Sequence, residues 1–95
     1  MITVPTKTLH GKGFEVVVPA TLDEHFASNP VWVFKGKAAA EKKATYEMAW
    51  HHKAGVEEVV SVTAVSHKGL WLVVFWYDSA TAAKRQADAE AGREI

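Results

Sequence analysis

Two apolar runs of strand type, Val59–Val65 and Leu70–Tyr77, are separated only by Ser66-His67-Lys68-Gly69, and this pairing restricts the fold more than any other feature. Both runs are rich in β-branched and aromatic residues and too short to cross a bilayer as helices, and Gly69 supplies the positive φ that a tight connection needs. They read as an antiparallel hairpin. Side chains alternate along a strand, so Trp71, Val73, Phe75 and Tyr77 share one face while Leu72, Val74 and Trp76 share the other. A strand apolar on both faces is central and buried twice over, or keeps one face for a partner. In the first run Val60, Val62 and Ala64 form one face, and Val59, Ser61, Thr63 and Val65 a mixed one.

The rest of the chain reads as cover for this hairpin. Ile2–Leu9 has the pattern of an edge strand, because Pro5 lacks the N–H a central strand would use. His10-Gly11-Lys12-Gly13 turns the chain, Phe14–Val18 returns as a second strand, and Pro19 ends it. Thr21-Leu22-Asp23-Glu24 has the form of a capping box, which predicts one or two helical turns over Leu22–Ser28, stopped by Asn29-Pro30. Val31–Phe34 is a third strand, and Lys37–Ala54 a long helix of good helix formers that ends at Gly55. On a helical wheel Ala39, Tyr46, Trp50 and Ala54 make one arc and Ala40, Ala44 and Met48 another, with His51 in the second. Both arcs are expected to be covered, with Lys42 and Lys53 on the water side. After the hairpin, Asp78 or Ser79 caps a last helix in which Ala80, Ala83, Ala87 and Ala91 form a stripe, while Lys84, Arg85, Asp88 and Glu90 stay outside.

The expected order is strand, strand, short helix, strand, helix, strand, strand, helix. This defines an α+β fold, one domain over residues 1–95 with an antiparallel sheet and two main helices on one face, frayed after about residue 91. In element order alone it resembles a ferredoxin-like body, permuted so that the N-terminal hairpin replaces the usual final strand. Val31–Phe34 with Ala39–Ala44, and Leu72–Phe75 with Ala82–Ala87, also look like a loose internal repeat of strand and Ala-rich helix.

Charge and composition narrow the function classes. The 95 residues suit one core. Lys plus Arg equals Asp plus Glu, 11 each, so no broad attraction to nucleic acid or anionic membrane is expected. The chain has no cysteine, which removes disulfides, thiolate chemistry and Cys-based zinc sites. Without an apolar leader or a membrane-length run, a cytoplasmic protein with no membrane association is the expectation.

Catalytic and metal patterns are weak. Among His10, His25, His51, His52 and His67, only Glu47 and His51 stand at a ligand-friendly spacing, four apart, with no third ligand in a recognised pattern. Ser61 and Ser66-His67 lack a nucleophile elbow, and His10-Gly11-Lys12-Gly13 lacks the helix of a phosphate loop. No cofactor, no metal and no catalytic residue are expected.

The aromatic strands carry the functional expectation. With two helices on one sheet face, the side bearing Trp71, Phe75 and Tyr77, with Trp32 beside them, is predicted to stay open and to anchor a protein partner. A small non-catalytic protein-binding domain is the leading expectation; compact cysteine-free chains without catalytic motifs are, as a class, used by phages and mobile elements as inhibitors of host machinery, anti-CRISPR proteins among them, and an inhibitor of that kind is one form of it. A nucleic-acid-binding module using Lys35, Lys37, Lys42, Lys43 and Lys53 is the first alternative. A small-molecule enzyme or carrier with a pocket near Trp50, His51 and Trp76 is the second. The last helix's alanine stripe, packed on another copy, would make a homodimer.

Overall fold

A computed structural model describes residues 4–93. It is an α+β fold of two antiparallel sheets and two helices. Strands β1 (Thr6–Gly11) and β2 (Phe14–Pro19) form a hairpin, and β3 (Ser28–Phe34), β4 (Val59–His67) and β5 (Leu70–Tyr77) form a second sheet in the order β3-β5-β4. Helix α1 (Lys37–Ala54) joins β3 to β4, and α2 (Ser79–Arg93) follows β5.

The β4–β5 hairpin forms as its residues require. Lys68 at φ +50° and Gly69 at φ +80° make a two-residue turn with both central residues left-handed, the twist that matches right-handed strands. β5 is the central strand. Leu72, Val73 and Val74 are 0% exposed, each contributing about 1.5–3 kcal/mol of burial, because both faces of β5 are covered.

Different elements supply the two covers. Ala40 and Ala44 of α1 pack with Val62 and Val73, flanked by Trp32, Phe34, Trp71 and Phe75. On the opposite face Leu9 and Val18 of the β1–β2 hairpin pack with Val33, Leu72 and Val74, flanked by Phe14 and Trp76. The face expected to stay open is therefore roofed by α1, and the N-terminal hairpin closes the other. β3-β5-β4 with α1 as crossover is the split β-α-β order of a ferredoxin-like body. The hairpin lies against β3 but does not join its ladder, so β3 keeps one unpaired edge among the described residues.

Three sequence expectations are corrected. Leu22–Ser28 is not helical: it is a loop of bends and turns leading into β3, which begins at Ser28 rather than Val31. The Asp23 carboxylate takes the N–H groups of His25, Ala27 and Ser28, and those of Ala27 and Ser28 are the ones a helix here would direct to the carbonyls four residues back. Second, only the Ala40–Ala44–Met48 arc of α1 meets the sheet; Ala39, Tyr46, Trp50 and Ala54 are exposed. Third, the Ala80, Ala83, Ala87 and Ala91 stripe of α2 is exposed, and Ala82 and Arg85 turn inward instead. Of the expected first strand, Ile2 and Thr3 lie outside the described residues, as does the chain after Arg93.

The helix ends follow local chemistry. Gly55, at φ +74°, closes α1: its N–H donates to the His52 carbonyl and that of Val56 to the His51 carbonyl, while His51, His52 and Lys53 stand at the negative end of the helix dipole. Asp78 caps α2, its carboxylate accepting from the Thr81 N–H at 2.8 Å.

Candidate functional site

The aromatic residues singled out in the sequence are half-buried supports rather than an open platform. Trp32 meets Phe75 edge-on at 5.6 Å, and Phe75 meets His51 of α1 at 5.0 Å. Trp71 lies under the Lys37 ammonium, 5.4 Å from its ring centre. Tyr77 belongs to the other end of the molecule, its hydroxyl accepting from Asn29 Nδ2 at 3.1 Å and its ring facing the Arg85 guanidinium at 4.8 Å. The fold thus gathers Trp32, Trp71 and Phe75 around one cluster beneath α1 and sets Tyr77 apart from them.

What stays accessible is the border between α1 and β3. Ala39, Lys43, Tyr46 and Trp50 recur at helical spacing on one arc of α1, and Tyr46 and Trp50 are 62% and 53% exposed. That exposure exceeds what two large aromatics need for packing, and it places them side by side. The arc is left over for a physical reason. A helix lying close on bulky strand residues must present small side chains to them, and Ala40 and Ala44 do so where Tyr46 and Trp50 would hold it away.

This arc continues into a cleft along the unpaired edge of β3. The hollow, about 680 Å³, lies between the tip of the β1–β2 hairpin and α1, and is lined by His10, Gly11, Lys12, Phe14, Trp32, Val33, Phe34, Lys35, Ala39 and Lys43. A Cβ at Gly11 would meet the Phe14 ring, so glycine there lets the ring lie across the hairpin tip. The lining holds three lysines and no carboxylate. Lys43 sits 4.3 Å above Trp32 and 5.5 Å from Tyr46, and Lys35 lies 5.1 Å from Phe14. These cations rest on aromatic faces, which holds them near the cleft.

In and around the cleft the charges are partly matched. Lys43 also approaches Glu47 at 3.5 Å, Lys37 approaches Glu41 at 3.6 Å, and His10 approaches Glu15 at 3.4 Å. The basic side formed by Lys35, Lys37, Lys42, Lys43 and Lys53 is therefore interrupted by carboxylates. Trp50 and His51 lie on the α1 side of the sheet and Trp76 on the hairpin side, where its Nε1–H donates to Thr63 Oγ1 at 2.7 Å, so the three do not line one cavity. Among the described residues no group of three metal-ligating side chains converges, and no helix is long and apolar enough to cross a membrane.

No family model, no curated protein and no solved structure matches this chain. Its chemistry is accordingly read from the surface itself: an apolar, aromatic cleft with a cationic rim, continuous with two exposed aromatic rings. Sequence reasoning grouped Tyr46 with Trp50 but expected them covered, and it had no signal for Phe14, which joins them only through the hairpin's placement.

Proposed function

We propose that this chain is a non-catalytic protein-binding module, and that it grips an acidic segment with apolar anchors along the border of β3 and α1. The observation that carries this reading is the exposure of Tyr46 and Trp50 beside a cleft lined by Phe14, Trp32 and Phe34 and rimmed by Lys12, Lys35 and Lys43. Exposed aromatics backed by packed neighbours are the usual energetic anchors of protein interfaces. The lysines favour carboxylates on the partner. An inhibitor that acts by occupying a partner's surface, the use expected from the sequence, needs no chemistry beyond this.

The test is affinity capture from the cells in which the protein operates, with and without nuclease, comparing the natural chain with Tyr46→Ser/Trp50→Ser. A stoichiometric protein partner that survives nuclease is expected. In the reconstituted complex the double variant should bind roughly 30-fold more weakly or worse, a loss of about 2 kcal/mol or more from the two anchors together. Undiminished binding by the variant would sink the reading. The basic, aromatic cleft also favours a second reading, a single-stranded nucleic acid stacked on Trp32 and Phe34. Retention that needs nucleic acid and falls steeply with salt would move the assignment there.

A further inference from the structure

The geometry points to the outer edge of β4 as a seam at which two copies of this chain join by antiparallel β4–β4 pairing. β4 is nine residues long and is paired with β5 on one side only. Strands that remain at a sheet edge in solution are normally interrupted by proline, lysine or a bulge. β3, the opposite edge, has such devices: Pro30 offers no N–H, and its register with β5 slips between Pro30 and Trp32. β4 is irregular only at its start, between Val59 and Ser61, and from Ser61 to Ser66 it contains no proline and no charged residue.

A two-fold axis sets residue i of one copy against residue j of the other and j against i, so only residues at the middle of the paired run meet their own counterparts. A charge there would face its like, so a neutral run of small and β-branched residues suits self-pairing. The formal net charge of zero leaves no general repulsion between copies. The helical layer fits the same operation. Ala40 and Ala44 pack over Val62 of β4 and Val73 of β5, which puts α1 above the β4–β5 seam. With strands about 4.8 Å apart that seam lies about 5 Å from the axis, so the two copies of α1 stand about 10 Å apart, a helix-contact distance. A second copy thereby continues the sheet and adjoins the helices at once, whereas an unrelated strand would engage only the edge.

Sedimentation velocity across a wide concentration range tests this, together with concentration-dependent amide exchange. The natural chain is expected to show a monomer–dimer equilibrium, with the β4 amides slowing as concentration rises and the β3 amides indifferent. Thr63→Glu, at an exposed position, should sediment as a monomer with an unchanged circular dichroism spectrum, and Val60→Lys should behave likewise. Tyr46→Ser/Trp50→Ser should dimerise as the natural chain does. A natural chain that stays monomeric, β4 amides insensitive to concentration, a dimer that survives both β4 variants, or a dimer lost through Tyr46→Ser/Trp50→Ser would each overturn the proposal.

Discussion

Asp23 organises more backbone than its position in a surface loop suggests. Its carboxylate accepts from the Thr21 and Ser28 hydroxyls, each at 2.6 Å, and from the N–H groups of His25, Ala27 and Ser28. Partial burial pulls the carboxyl upward, but the bonds from Ser28, Thr21 and Ala27 outweigh it and hold the group well below the ordinary carboxylate range. The same network holds Phe26, a buried aromatic at φ +58°, in a conformation that non-glycine residues rarely adopt. Asp23→Asn should therefore cost about 1.5–3 kcal/mol in denaturant unfolding. Because the carboxyl binds its proton less readily in the folded chain than in the unfolded one, its stabilisation is full at neutral pH. It fades as pH falls below about 4 and on toward the folded value. Stability should accordingly fall less steeply with acidification in Asp23→Asn than in the natural chain, and equal slopes would assign the acid sensitivity to other carboxylates.

At the scale of elements, the two helices are attached by different means. α1 is held by an apolar contact spread over its length, whereas α2 is held largely by one side chain. The Arg85 guanidinium donates to the carbonyl oxygens of Phe26, of Ser28 at 2.8 Å and of Ala20 at 3.4 Å, while it stacks on Tyr77. Burial lowers its pKa, the Tyr77 and Asp23 neighbours oppose that, and an arginine stays charged throughout the physiological range. Nearby, burial and then the Arg85 charge lower Lys7, whose ammonium donates to Asn29 Oδ1 at 2.6 Å. Removing Arg85 leaves three carbonyls without their donor and α2 with little apolar anchorage. In Arg85→Ala, amide exchange across Ser79–Arg93 should rise by an order of magnitude or more, the loss of about 1.5–3 kcal/mol of local stability, while α1 exchanges as before. Equal acceleration in both helices would mean that α2 is part of the global core.

The whole molecule is a sheet with dissimilar covers, and both depend on β5. Leu72 faces the hairpin and Val73 faces α1, so a cavity at either position reaches two layers. Leu72→Ala should cost about 2–5 kcal/mol and still unfold in one transition, since no cover has a core of its own. An unmoved denaturation midpoint would show that the hairpin layer contributes little. The same layering explains why the proposed site lies at a border. With both sheet faces used, the most exposed aromatic surface among the described residues lies where the layers end, on the outer arc of α1.

How much of this was legible in the sequence follows from the range of the forces involved. Local patterns determined both hairpins, the C-terminal part of β3, the α1 span with its Gly55 stop and a cap at Asp78 or Ser79, because alternation, turn residues and caps act over a few neighbours. Leu72 and Val74 were legible as core for the same reason. The tertiary structure alone decided which layer covers which face. Burying Trp71 and Phe75 under α1 or under the hairpin satisfies the same alternation, and only the fit of Ala40 and Ala44 against those rings distinguishes the two. It also decided that Thr21–Ser28 would serve a carboxylate and an arginine 57 residues away rather than a helix. And it left Tyr46 and Trp50 outside, because a helix on a flat sheet has room beneath it for one narrow arc, and the alanines took it.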